Sequence, residues 1–386
     1  MIERLRLENF KAFRHLDLPL APLTLLSGVN AAGKSTAMQA LALLRQSDDA
    51  GVLDTKGGLL LNGELVELGV GQDVLHENYA DGRGGGRVFI AVAVTIDGHE
   101  SRWRVEYRTA EDREADLLKF PLSWEGSDQP PTPWHPPKRK GLFSAGFQYL
   151  RADRIVPAVT YPKSFEMAVR RGFLGVRGEH TVNYLRARED WVTSPDLLHP
   201  AAKSTGLLDQ AEAWLREICP GVNLMAEDLR GTDMVRLSYG FGGTAGITSS
   251  NIRYRPTNVG FGLTYALPII VACLSAGPGR LVMLENPEAH LHPRGQTMVA
   301  RLACRAVAAG GQLIIESHSD HVLNGVRLAV KDGVLTPNHV ALHYFDRNDD
   351  GEIEVSSPEI DPDGMLSQWP RGFFDEWDRA LDRLLD

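Results

Sequence analysis

Apolar and polar residues alternate through Ile2 to Leu7 and again through Leu16 to Leu20, on either side of Asn9-Phe10-Lys11-Ala12-Phe13. That spacing predicts two strands joined by a short turn. The stretch Leu23-Thr24-Leu25-Leu26, ending at Ser27, predicts a strand buried on both faces, and Ala37 to Leu44 predicts a helix. Strand-like patterns return at Leu59 to Val70, Val88 to Ile96 and Ser101 to Thr109, separated by Asp81-Gly82-Arg83-Gly84-Gly85-Gly86 and by Asp97-Gly98.

From Ala110 to Lys140 the chain turns charged and proline-rich, ending in Pro136-Pro137-Lys138-Arg139-Lys140, the composition of a surface excursion. Phe147 to Ile155 regains sheet character, Ser164 to Glu217 holds arginine-rich helical stretches, and Met225 to Tyr254 reads as strands linked by Gly240-Phe241-Gly242-Gly243. No apolar heptad is sustained, so this region predicts a compact insertion and not a long coiled coil. Asn258 then leads into a helix, Leu281 to Leu284 is a strand, Gly295 to Ala309 a helix and Gln312 to Glu316 a strand. Val340 to Phe345 adds one more strand, and Phe373 to Leu385 has the pattern of a closing amphipathic helix. Interleaved helices and strands predict an α/β fold with a largely parallel sheet beside an antiparallel part.

Composition narrows the function classes. The 386 residues are 43% hydrophobic and 24% charged, ordinary for a globular protein with room for one large core or two lobes. Cys219, Cys273 and Cys304 are widely spaced in apolar surroundings, which predicts buried free thiols, fits a reducing cytoplasm and argues against a disulfide framework or a zinc site. The first residues lack a signal-peptide layout, and Leu263 to Ala276 is short for a bilayer, so a buried helix is expected there and no membrane partner. A net charge of -9 argues against a broadly basic surface.

Gly28-Val29-Asn30-Ala31-Ala32-Gly33-Lys34-Ser35, followed by Thr36, lies between the predicted strand and helix. In such a turn successive main-chain N–H groups point inward and the helix N-terminus adds its positive end, so a polyphosphate is held. Asn30, Gly33, Lys34, Ser35 and Thr36 are the candidate binding residues, with Lys34 on the β- and γ-phosphates and the Ser35 hydroxyl on Mg²⁺. Leu281-Val282-Met283-Leu284-Glu285 is a second apolar strand, and it ends in the carboxylate that a parallel sheet places beside a bound magnesium. These residues predict a chain that binds a nucleoside triphosphate.

Four segments in order, Gly28 to Thr36, Asn258-Val259-Gly260-Phe261-Gly262, Leu284-Glu285-Asn286-Pro287-Glu288-Ala289-His290-Leu291-His292-Pro293 and Ile315-Glu316-Ser317-His318-Ser319, resemble the ATP-binding-cassette (ABC) ATPases. With the opening Leu5-Arg6-Leu7-Glu8-Asn9-Phe10-Lys11-Ala12-Phe13 they resemble the branch that holds the chromosome-maintenance (SMC) and overcoming-lysogenization-defect (OLD) proteins. Trp369-Pro370-Arg371-Gly372-Phe373-Phe374-Asp375 is similar to a small C-terminal domain of unknown function found on some bacterial members. The resemblance implies an ABC-ATPase-like P-loop fold with mixed sheet, an antiparallel β subdomain and a partly helical insertion. It divides the chain into a first core part with the loop (1–109), an insertion (110–250), a second core part (251–345) and a C-terminal cap (346–386).

The resemblance also assigns roles. ATP would lie between the loop of one protomer and Asn258, Gly260 and Gly262 of another, making ATP the adhesive of a homodimer or higher homo-oligomer. Glu285 would be the magnesium-linked acid, His318 the switch histidine on the γ-phosphate, and Gln72 the glutamine joining magnesium to the attacking water. Asn286 departs from the pattern, because the residue after the acid is often a glutamate acting as general base and an asparagine accepts no proton near neutral pH. Glu288, two positions on, is the candidate replacement; otherwise hydrolysis is expected to be slow, which suits a persistent switch.

OLD relatives often carry a fused TOPRIM nuclease after the switch histidine, and the residues that follow His318 are too few for one. Asp346-Arg347-Asn348-Asp349-Asp350-Gly351-Glu352 reads as an acidic hairpin turn, so the expected effector, a nuclease or toxin, is a separate chain. Anti-phage defence or DNA maintenance is the expected setting. Two other classes remain: the energy-coupling subunit of a transporter, disfavoured by the Asn258 turn, and a nucleotide-binding scaffold without meaningful hydrolysis, favoured by Asn286. DNA or RNA stays open as a partner. Arg151, Arg154, Arg170, Arg171, Arg177, Arg186 and Arg188 would either form a positive surface or be paired and solvated.

Overall fold

The computed structural model describes residues 1–53, 57–79, 88–107, 110–121, 141–242, 252–348, 351–370, 372–373, 381 and 383–385. The expected turn at 81–86, the basic end of the excursion at 136–140, and most of the closing helix lie outside the described residues. Two compact units make up the chain: Met1–Ala21, Leu26–Ser144 and His343–Ser357 form the first, and Pro22–Leu25, Ala145–Leu342 and Pro358–Asp386 the second. The stretch 110–250 contributes residues to both. Strand Leu23–Gly28 starts in the second unit and ends in the first.

The first unit is built on an antiparallel sheet in the order Phe13–Pro19, Ile2–Phe10, Phe89–Ile96, His99–Glu106. Register explains the opening alternation: Leu5 pairs with Leu18 and Val94, Leu7 with Leu16 and Val92, and all six side chains are buried on one face. On the other face Arg4 reaches Asp17 at 2.6 Å and Arg6 joins Asp17 and Glu100, exposed pairs that set register more than stability. Helix Lys34–Asp49 buries Met38, Leu41 and Leu44.

Two buried polar side chains of that helix decide the segment after it. Gln46 donates to the Leu60 carbonyl at 2.6 Å and accepts from the Leu65 and Val66 amides, and Ser47 accepts from the Leu60 amide. Asn62 exchanges two hydrogen bonds with Gly69. The strand expected over Leu59 to Val70 is therefore only Gly58–Leu60, paired with Leu117–Lys119, since side chains take the main-chain groups a longer ladder would need.

The second unit has parallel strands Gln312–Glu316, Leu281–Glu285 and Gln148–Leu150, side by side in that order. Residues 281–284 are fully buried, as a strand covered on both faces must be. The Leu313 amide donates to the Pro22 carbonyl at 2.8 Å, beside the foot of Leu23–Gly28. The run read as a buried helix is Phe261–Leu274, apolar nearly all round and buried from Leu263 onward except at Tyr265. Pro293–Ala308 and Asp320–Lys331 are helices with one buried face each. The expected strands after Met225 are Val222–Asp228 and Met234–Phe241, and the arginine-rich region holds a π-helical turn at Glu166–Arg171 and helices Thr181–Ala187 and Leu207–Ile218. Cys273 and Cys304 are buried free thiols pushed up to about 12 by burial, and Cys219 is free and half-buried. Among the described residues no helix is long and apolar enough to cross a membrane.

His343, buried in the first unit, lies 2.8 Å from the Pro19 carbonyl through Nε2 and 2.8 Å from Ser357 Oγ through Nδ1. A carbonyl only accepts, so Nε2 carries the proton and Nδ1 accepts from the hydroxyl. Burial holds the ring down at about 4, below the 6.5 of a free histidine, so it folds neutral. Its contribution is complete above pH 6.5 and is lost as pH falls towards 4, up to about 3 kcal/mol. Thermal melts of the parent and His343→Gln across that interval are expected to show the smaller pH dependence in the variant.

Candidate functional site

In the first unit the loop turns through left-handed backbone at Ala31 (φ 59°) and Gly33 (φ 89°), with Gly28 at φ 135°. A Cβ on Gly28 would stand 2.0 Å from the Phe345 carbonyl oxygen, and one on Gly33 would stand 2.5 Å from the Phe13 ring. Only glycine fits either place. The opening motif thus has a structural duty: Phe13 lies buried against Gly33 and Phe345 and backs the loop.

Lys34, 3% exposed, turns its ammonium inward to the carbonyls of Gly28 (3.0 Å) and Val29 (2.7 Å). No side chain caps the start of helix Lys34–Asp49. An uncapped helix start with a buried ammonium beside it fits a polyphosphate. Asn30 is exposed at the apex, Ser35 half-buried and Thr36 buried. Arg347 donates to the Ala31 carbonyl at 3.0 Å and to that of Gly351, tying the apex to the hairpin that follows Val340–Arg347. Gln72 is exposed in the short helix Gly71–Val74, whose start is closed by Asp73 accepting from the Val70 amide at 2.9 Å.

In the second unit Glu285 ends its strand with both oxygens engaged. Tyr149 donates its hydroxyl at 2.5 Å to Oε1, and the Ala152 amide donates to Oε2 at 3.0 Å. Arg154, 1% exposed, donates to the carbonyls of Glu285 (2.7 Å), Asn286 (2.6 Å) and Arg151 (3.2 Å), and burial lowers it to about 10, still a cation at neutral pH. Burial first, and Glu285 next, push the Tyr149 phenol well above its ordinary value, so it remains a donor. Asn286 takes a left-handed conformation (φ 43°) with its amide on the Glu316 carbonyl at 2.8 Å.

Glu288 spans to the end of strand Gln312–Glu316: Ser317 Oγ donates to Oε2 at 2.9 Å and the His318 amide to Oε1 at 2.8 Å. The His318 residue is exposed, and Ser319 caps helix Asp320–Lys331 by accepting from the Val322 amide. His292 caps helix Pro293–Ala308 and, among the described residues, no histidine, cysteine or carboxylate cluster could hold a metal ion. Asn258, itself exposed, closes the turn Pro256–Asn258, in which Pro256 is buried, and Gly260 starts helix Phe261–Leu274 without a side-chain cap. A Cβ on Gly260 would meet open space, whereas one on Gly262 would stand 2.8 Å from the His290 carbonyl.

The arginine set needs one correction. Arg154 belongs to no positive surface, because it is buried and both terminal nitrogens of its guanidinium donate to main-chain carbonyls inside the unit. Arg151 and Arg177 pair with Asp153, Arg170 with Glu166 and Arg186 with Glu189, while Arg188 holds the Val169 carbonyl and Arg171 lies over Phe173. Tyr149 and Ala152, the partners of Glu285, belong to no sequence motif. Their contacts span 136 and 133 residues, and nothing local in the chain announces them.

Three family models match. Residues 1–91 match an AAA ATPase domain, and 237–324 match an AAA domain of the kind ascribed to the AbiEii toxin of a Type IV TA system. Residues 335–384 match a protein family of unknown function (DUF3696). Residues 1–91 and 237–324 are thus each similar to AAA ATPase domains. A 44-residue stretch is 46% identical to the OLD nuclease of Thermus scotoductus, covering 11% of this chain and 8% of that protein. Solved structures similar to the chain include an SmcHead bound to the C-winged helix domain of ScpA (13% identity, 93% of this chain and 97% of that one, TM-score 0.48). Another is the SMC head domain from Thermotoga maritima (12%, 93% and 99%, TM-score 0.43). An α/β P-loop ATPase fold stands on the chain's own strand, loop and helix, and on the first two family matches.

The turn at Asn286 predicts a stability order. Asparagine tolerates left-handed backbone, alanine costs roughly 1–2 kcal/mol there, and glycine nothing. Urea unfolding is expected to place Asn286→Ala below the parent and Asn286→Gly level with it or above.

Proposed function

We propose that this chain is a Mg–ATP-dependent switch in which bound ATP joins two copies, and that it governs a separate effector chain, a nuclease or toxin, in anti-phage defence or DNA maintenance in the bacterial cytoplasm. One observation carries the reading: the helix start at Gly260 is uncapped, exposed and free of any crowding atom, next to an exposed Asn258. Such a helix start receives a phosphate from outside its own chain at close range. Gly262, tight against His290, supports the position of that start.

Roles follow from residue chemistry. Lys34 moves its ammonium from two loop carbonyls to the β- and γ-phosphates, and Asn30, Gly33 and Thr36 complete the loop. Ser35 in the first unit, and Glu285 in the second, are assigned to magnesium by their motifs, as is Gln72. Magnesium would supply charge neutralisation on the phosphates. His318 is proposed as the γ-phosphate contact.

Hydrolysis is proposed to be slow. Asn286 accepts no proton, and Glu288 already receives two hydrogen bonds, which hold its carboxylate in place. The same facts favour a second reading, a nucleotide-binding scaffold with negligible turnover. The pairing of the arginines argues for a protein effector ahead of nucleic acid held by that surface.

Light scattering of the purified chain is expected to show the mass doubling with Mg–ATP and staying at the apo value in Lys34→Ala. An unchanged mass in both removes the switch. In a turnover assay, activity lost with Lys34→Ala rejects the scaffold. Asn286→Glu is expected to raise turnover about tenfold or more.

A further inference from the structure

Residues Tyr149 to Arg154 touch the end of strand Leu281–Glu285 at four points, and each contact has a physical origin. Tyr149 lies opposite Met283 in the parallel pairing, so its side chain shares the face of Met283 and Glu285, and its hydroxyl reaches the carboxylate two residues on. Past Leu150 the chain leaves the sheet, with the Arg151 amide on the Val176 carbonyl at 2.8 Å. That turn delivers the Ala152 amide to the second carboxylate oxygen. Arg154 then comes back beneath the strand end, and its fork takes the two successive carbonyls of Glu285 and Asn286. Tyr265 offers its ring face to the same guanidinium, 5.4 Å from ring centre to Cζ.

A cation this deeply buried is rare and costly unless its donors are used. Here it holds two consecutive peptide groups through a left-handed turn, which a single ammonium cannot do, because lysine presents a point charge and no planar fork. With the peptides held, the direction of the Glu285 side chain is set from below, and Tyr149 and Ala152 set it from the side.

We propose that Tyr149 and Arg154 are positioning residues that hold Glu285 and the Asn286 turn in the geometry required for magnesium-dependent turnover. The proposal rests on the ATP reading given above and goes beyond it by naming residues outside every motif of that reading. Neither residue touches nucleotide in this role, so both act through Glu285.

The test uses the full chain, Tyr149→Phe and Arg154→Lys, each checked for folding by thermal melt. Binding of a fluorescent ATP analogue is measured in EDTA and along a magnesium titration, and ATP turnover is measured in parallel. Affinity in EDTA is expected to stay within about twofold of the parent in both variants, since Lys34 and the loop are untouched. Tyr149→Phe is expected to raise the half-saturating magnesium concentration about fivefold, and Arg154→Lys to lower kcat about tenfold with KM unchanged. Parent-like magnesium dependence and kcat in both variants overturn the proposal. So does a loss of EDTA affinity that parallels the loss of turnover, which marks general damage. If Arg154→Lys does not fold, Tyr149→Phe decides alone. Failure of the unaltered chain to bind the analogue overturns the ATP reading itself and is seen before any variant is made.

Discussion

A buried strand that ends in a sharp turn leaves its last carbonyls without ladder partners, and in both units a buried cation supplies them. Lys34 serves Gly28 and Val29 at the end of Leu23–Gly28, and Arg154 serves Glu285 and Asn286 at the end of Leu281–Glu285. Each carbonyl out of water needs a donor, and each cation out of water needs acceptors. At these four carbonyls the two needs meet.

The choice of cation separates the two turns. An ammonium on a flexible stem exchanges one acceptor for another at little cost, which suits the proposed exchange of loop carbonyls for phosphate oxygens. A guanidinium held by its fork, 1% exposed and against an aromatic ring, keeps its place.

Asn286 shows what such a turn demands. Its left-handed backbone favours asparagine or glycine, so the residue that departs from the resemblance in chemistry is well matched to its backbone. Glu288, the acid nearby in sequence, instead braces Ser317 and the His318 amide and so ties two loops of the second unit together. Backbone geometry and hydrogen-bond accounting thus bear on the proposed slow hydrolysis as directly as the residue type at 286 does.

By itself the sequence determined the elements whose signals are local. The alternation of the opening strands, the glycine loop between strand and helix, the apolar strand ending in Glu285 and the helix at Phe261–Leu274 each lie within one short window, where period and turn chemistry act. Tertiary structure alone decided what depends on distant partners. Gln46 and Ser47 cut the strand after Gly58 short from the neighbouring helix, and Arg154 lies buried and meets carbonyls 131 and 132 residues away. Side-chain type states what a residue can donate or accept, but only the folded chain says which orphaned group it finds.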